Sequence, residues 1–318
     1  MFEIFNQKTT AFKELISGIL SAQPDDFVEI ENLYSYTLHK KRIMDDRVQI
    51  VISGGGGYGA LFPGFVGEGL ADAVCQGDFD CAPNAYALYE VAKAVHRKKG
   101  ILFLANHFTG DFLNNDMAQE LLEGDNICSK ACYVSDDLFS SRGEPKEKRG
   151  GLCGIALLIK IAASAADRGL GLEEVYRIVQ KANDRLRSVT VCLNQQKRQM
   201  EFGPGFSGEA PAVVMSYQSA DDLVQNALVF LLSELEEYPD SPLYFTINRM
   251  AGMSYLEGYI ILQSVKSQLE ASGHVVNGCS VGSYFNAFDS NGCIISVLAA
   301  DDEIAQYIRP VSGYDFTI

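Results

Sequence analysis

The chain has 318 residues, 47% hydrophobic and 21% charged, a folded-protein balance with length for two cores of ~150 residues each. Its formal net charge of −15 excludes a broad basic footprint for nucleic acid, so any action on DNA runs through a partner. MFEIFNQKTTAFKELISGIL at the start lacks the three sections of a secretory leader, and the longest apolar run, GIALLIKIAASAA, is broken by Lys160 and too short to span a bilayer; the expected location is the cytoplasm.

In chain order, RVQIVISGGGGYG (47–59) reads as a β-branched strand ending in four glycines. GILFLANHFTGD (100–111) reads as a second strand and turn, followed by helical spacing in FLNNDMAQELLEG with Gly124 as the stop. KACYVSDD is a third strand, and helices are expected over 151–168 and 172–187, the first apolar on most sides and therefore packed centrally. The alternation restarts with SVTVCL, a glycine turn at 200–211, a helix near 219–236, the turn EYPDSP and the strand LYFTIN. A helix near 254–272 and CIISVLAADDEI close the chain. This alternation predicts an α/β layer fold in two domains, 1–187 and 188–318, each a mixed sheet flanked by helices, with no flexible connector and a shared cleft.

Eight cysteines without a C-x2-C pair, and only four histidines, argue for free buried thiols over a metal site. The acidic pairs at 135–137 and 301–303 fit helix N-termini or solvated turns better than Mg²⁺ sites. GEPKEKRG (143–150) reads as an exposed charged loop.

Ligands of open α/β sheets sit where strands feed helices. Two loops qualify. In SGGGGYG (53–59), Gly54, Gly55 and Gly56 let the main chain approach a small ligand, or simply make a tight turn; neither a Walker A loop nor a dinucleotide fingerprint is present. In NHFTGDFLN (106–114), Asp111 either caps the following helix or acts as a general base, and His107 stands beside it as a hydrogen-bonding residue.

With these residues in hand, the chain resembles the DhaK subunits of dihydroxyacetone kinases. The motifs are SGGGGYG…GFVGEG (53–69), TGDFLN (109–114), KRGGLCGIALLIKIAASAADRGLGLEE (148–174), MEFGPGFSGE (200–209) and FDSNGCIISVL (288–298). The resemblance implies a two-domain α/β subunit that forms a homodimer and holds dihydroxyacetone in the cleft. It also implies that one histidine captures the ketone as a hemiaminal, a second hydrogen-bonds it, and an aspartate is the base. The nucleotide, ATP or ADP with magnesium, is implied on a separate subunit, so this chain is expected to bind no cofactor itself.

Carried over by position, Asp111 matches the base and Gly54, Gly55 and Gly56 the backbone cradle. Tyr58 falls at the hydrogen-bonding histidine, Asn106 or Ala105 where a lysine is usual, and Ser207 at the covalent histidine. A serine needs a neighbouring base to attack a carbonyl, and a phenol is a poor proton shuttle near neutral pH. The covalent hold is therefore expected to be lost. Two readings follow: a regulatory paralogue of the DhaQ co-activator type, which pairs with a TetR-type DNA-binding protein, or a kinase subunit working through Asp111 on a ketose or polyol.

Overall fold

The computed structural model describes residues 4–308 except 33–34, 57–61, 80, 142–144, 206–208 and 286–290. The chain divides into two compact units, 1–133 with 159–179 and 134–158 with 180–318. It passes between them after 133, 158 and 179, where the sequence reading set one border after 187.

The first unit opens with α1 (Ala11–Ala22), β1 (Phe27–Val28), β2 (Tyr36–Lys40), β3 (Gln49–Gly54) and β4 (Ala73–Gln76). It continues with α2 (Ala85–Val95), β5 (Ile101–Asn106), α3 (Thr109–Gly124) and β6 (Ser129–Val134). Its sheet has the order β1-β2-β4-β3-β5-β6, with β3 parallel to β4 and β5 and with β2 antiparallel to β1 and β4. Every residue of β3 and β5 is buried, which is why both read as continuous apolar runs without alternation. Val51, Cys75 and Phe103 meet Leu88 and Val91 of α2 and Ala118 and Leu122 of α3 in one core.

Local signals set the helix ends. The Asn84 side chain accepts from the Ala87 N–H at 2.8 Å and starts α2. α3 ends at Gly124, the expected stop, and the chain turns away two residues later at Asn126. Asn126 takes φ of 60°, its N–H donates to the Glu123 carbonyl, and the Ile127 N–H donates to that of Leu122. The paired bonds satisfy two carbonyls that the helix leaves open, and asparagine tolerates the left-handed backbone.

α4 (Ile155–Asp167) and α5 (Leu172–Asp184) follow, and residues 155–166 are buried without exception, as an all-round apolar helix requires. The second unit continues with β7 (Leu186–Asn194), β8 (Gln199–Phe202), β9 (Val213–Ser216), α6 (Ala220–Ser233), β10 (Leu243–Arg249), α7 (Tyr255–Ala271), β11 (Val276–Gly282), β12 (Gly292–Ala299) and α8 (Asp302–Ala305). Its sheet order is β11-β10-β12-β7-β8-β9, antiparallel except for β10 with β11. Phe245, Ile247, Ile295 and Val297 pack against Val224 and Leu231 of α6 and Ile261 and Val265 of α7. A reciprocal cap starts α7: Ser254 Oγ accepts from the Glu257 N–H, and the Glu257 carboxylate accepts from the Ser254 N–H at 2.7 Å. Both sheets are mixed and flanked by helices.

One sequence expectation about charge holds in part and another is corrected. In the 143–150 segment, Arg149 grips Glu234 with two hydrogen bonds at 2.9 and 3.1 Å, and burial pushes the Lys146 ammonium down to about 7. Pro145, Glu147 and Lys148 are exposed as expected, so the described part of the loop is exposed at those residues and held at Lys146 and Arg149. Asp301 does cap α8, accepting from the Ile304 N–H at 3.1 Å, and Asp301 also pairs with Lys181. The 135–137 pair is neither a cap nor a solvated turn, because both aspartates are buried. None of the eight cysteines forms a disulfide, and Cys75, Cys132, Cys153 and Cys293 are buried; Cys81 and Cys128 depart from the expectation by being exposed.

Candidate functional site

Parallel pairing brings the C-terminal ends of β3, β4 and β5 to one edge. Gly54 is in register with Gln76, and Ser53 with Ala105, so Gln76, Gly54 and Asn106 end three neighbouring strands ~4.8 Å apart. A Cβ at Gly54 would collide with the Phe62 ring, and one at Gly56 with the Phe12 ring. The Gly56 N–H donates to the Asp78 carbonyl at 3.0 Å, so that amide is engaged within the chain. Close packing alone therefore requires glycine at 54 and 56.

Asp111 lies in the first turn of α3, but Phe108 occupies the N-cap position and offers no side-chain bond. Asp111 is only 5% exposed, and its Oδ1 has no hydrogen-bond partner among the described residues. Burial pushes its carboxyl up to about 7. A carboxylate so placed is a poor cap and a good proton acceptor, because a group that titrates near neutrality takes a proton and releases it again.

Two residues that the sequence reading missed hold it there. Asn115, one turn further along α3, donates from Nδ2 to the Asp111 carbonyl at 2.8 Å and to Ser53 Oγ at 3.0 Å. Ser53 immediately precedes the glycines, so this amide ties the end of β3 to the turn carrying Asp111. The available signal was a polar residue four places from Asp111 on the buried face of a helix.

Asn106 is buried, with Oδ1 unpartnered among the described residues; Gln76, fully buried, has both amide atoms in the same condition. Together with Asp111, they place unmatched polar atoms around one strand edge, which a hydroxylated ligand could match. His107 is half-buried, its ring stacked on Phe112 at 5.2 Å, with Tyr133 at 6.2 Å. The Tyr133 hydroxyl donates to Asp116 at 2.5 Å.

In the second unit the glycine turn is described on both sides of its tip. Gly203 has φ of 83°, and a Cβ there would lie 2.5 Å from Phe139 Cβ. The Glu209 carboxylate lies against Gly205, and the charge of Glu209 reinforces the burial that pushes Asp137 up to about 7. Asp136 is fully buried and accepts from the Leu152 N–H at 2.6 Å, the Gly154 N–H at 3.0 Å and Ser188 Oγ. It anchors the GLCG segment to β7. Tyr58 and Ser207 both lie outside the described residues. Among the described residues no group of three or more His, Cys, Asp or Glu converges on a metal position, and no helix is long and apolar enough to cross a membrane.

Comparison with known proteins agrees with this architecture. The dihydroxyacetone-binding subunit DhaK of PTS-dependent dihydroxyacetone kinase 2 from Listeria innocua is 30% identical over 96% of this chain and 95% of its own length. The dihydroxyacetone kinase of C. freundii, solved with AMP-PNP and Mg²⁺, is 24% identical with a TM-score of 0.89, and this chain covers 60% of it. The dihydroxyacetone kinase operon co-activator Dha-DhaQ is 20% identical, with a TM-score of 0.85 over 93% of this chain and 95% of that one. Residues 17–312 match the Dak1 domain model, and the chain belongs to the Dak1 family, the DhaK family to which its motifs pointed.

Proposed function

We propose that this chain recognises dihydroxyacetone, or a similar small ketose or polyol, without a covalent bond, and that it acts as a ligand-dependent regulatory protein of the co-activator type. The observation that carries this reading is the placement of imidazoles. The four histidines are His39, His96, His107 and His274, and none falls on the glycine segments 53–59 or 200–211, where the resemblance puts the two that bind the ketone. Serine and tyrosine stand there instead, able to hydrogen-bond a hydroxyl but without the unprotonated ring nitrogen that adds to a carbonyl near pH 7. The unmatched polar atoms of Asn106, Gln76 and Asp111 suit a small hydroxylated compound held by hydrogen bonds. The acidic balance of the chain suits action through a protein partner, a TetR-type DNA-binding protein in this reading, over contact with DNA. Function as a homodimer in the cytoplasm is part of the same proposal.

Asp111 favours a second reading. Its near-neutral titration and its unpartnered oxygen suit a base for the hydroxyl that receives a phosphoryl group, and the Listeria relative with 30% identity is a kinase subunit. In that case the nucleotide arrives on a separate subunit. One experiment separates the readings: incubation with dihydroxyacetone, magnesium nucleotide and a purified kinase subunit. Turnover that disappears in Asp111→Ala establishes the kinase subunit. Calorimetric binding of dihydroxyacetone without turnover, together with ligand-dependent binding of a purified TetR-type regulator, establishes the regulator.

A further inference from the structure

The helix that carries Asp111 also carries an apolar line that stays exposed. Asp111, Asn115, Ala118 and Leu122 form the buried face of α3. On another face, Leu113, Met117 and Leu121 are 55%, 56% and 41% exposed, one per turn over three consecutive turns. Single exposed leucines are ordinary, but three in one row leave a continuous apolar strip. Tyr86 of α2 is exposed too, and the neighbouring Ala85 N–H bonds Asn114 Oδ1 at 3.1 Å, which places α2 alongside.

Charge identifies the kind of occupant. Every ionisable residue of α3 is acidic, and Asp116, Glu120 and Glu123 are exposed next to the strip, with no lysine or arginine between 109 and 124. On α2, Glu90 adds to this charge, while Lys93 is held by Asp125 at 2.8 Å. A second copy seated on the same face would bring carboxylates against carboxylates, and an anionic lipid surface would be repelled. We propose that the Leu113–Met117–Leu121 face of α3 docks a partner protein through an apolar groove rimmed by lysine and arginine, beside the turn that carries Asp111. This inference rests on the partner-mediated reading above and deepens it by assigning the surface.

The test uses two purified proteins, a TetR-type regulator and a nucleotide-binding kinase subunit, each titrated against the full chain by fluorescence anisotropy with dihydroxyacetone present. Met117→Gln with Leu121→Gln is expected to weaken binding by about 10-fold or more, as loss of central apolar contacts does. Glu120→Lys with Glu123→Lys is expected to weaken it by about 10-fold at low salt, with the difference shrinking as salt rises. Leu256→Gln with Ile260→Gln, which removes two exposed apolar residues from α7, leaves it unchanged. All six positions are exposed, so the variants keep their fold. Equal affinity for wild type and the Met117/Leu121 variant, or no binding of either protein to wild type, overturns the proposal. Calorimetry of dihydroxyacetone on the same samples reads ligand recognition separately, so loss of partner binding alone leaves the functional reading standing.

Discussion

Asp111 and Asp136 are two aspartates in two units of one chain, both shielded from water and both pushed upward in pKa by burial, yet differently built. Asp136 is surrounded by donors from Leu152, Gly154 and Ser188, so its carboxylate is the hub of a local structure. Asp111 keeps an oxygen without a partner among the described residues and gives its helix no cap. Burial alone does not mark a functional carboxylate; burial with unspent hydrogen-bonding capacity does, because the protein bears a desolvation cost that only a ligand or a proton can relieve.

Asp136→Ala gives the largest expected effect. It strands the buried Leu152 and Gly154 amides, each worth ~1–3 kcal/mol, while Ser188 keeps Ser296 Oγ as a partner, so chemical denaturation should show a loss of at least about 2 kcal/mol. Dihydroxyacetone affinity should survive in the folded fraction. An Asp136→Ala protein as stable as wild type would end the contrast.

Asn115→Ala comes next. Removing the amide that joins Ser53 to the Asp111 turn should cost about 1–3 kcal/mol in denaturation. It should also weaken dihydroxyacetone binding in calorimetry, although Asn115 is itself fully buried. Stability lost with ligand affinity unchanged would show that Asp111 needs no such anchor.

Asp111→Asn sharpens the comparison through pH. The folded-state pKa of Asp111 is raised from 3.8 to about 7, so its favourable contribution is fully present below the unfolded value and is lost as pH rises through about 7. Over that window one proton accounts for a slope of up to about 1.4 kcal/mol per pH unit. The variant should lose this slope and gain on wild type at pH 8 relative to pH 4. Asp137, also pushed up to about 7, titrates with the same sign and persists as background in both proteins. Identical pH profiles of denaturation midpoint would contradict the placement of Asp111.

Tyr133→Phe is the smallest change. It removes a hydroxyl that donates its one hydrogen to Asp116 and lies 3.3 Å from the Phe112 carbonyl, both acceptors being on α3. A net loss of about 0.5–1.5 kcal/mol is expected by thermal denaturation. A larger loss would mean that the aromatic group around His107 holds Asp111 more than Asn115 does.

The sequence made some of this legible and hid the rest for physical reasons. β3, β5 and β12 lie inside their sheets and are buried along their whole length, so their sequences are mostly apolar and do not alternate. β1 and β9 are edge strands of two and four residues, too short for a pattern to emerge. The end of α3 at Gly124 was legible, but the left-handed residue that closes the turn after it, Asn126, was not. Asp111 stood out beside a Thr-Gly turn. Ser53 and Asn115 did not, because their importance is a contact 62 residues apart in sequence. Asp136 was misread for the same reason: the amides it receives come 16 and 18 residues later.

The central claim is recognition without capture, and mass spectrometry of the chain after incubation with dihydroxyacetone tests it directly. The account predicts a complex with one dihydroxyacetone per chain under native conditions and the bare chain mass after denaturation. A dihydroxyacetone increment that survives denaturation and maps by peptide sequencing to any side chain would contradict it.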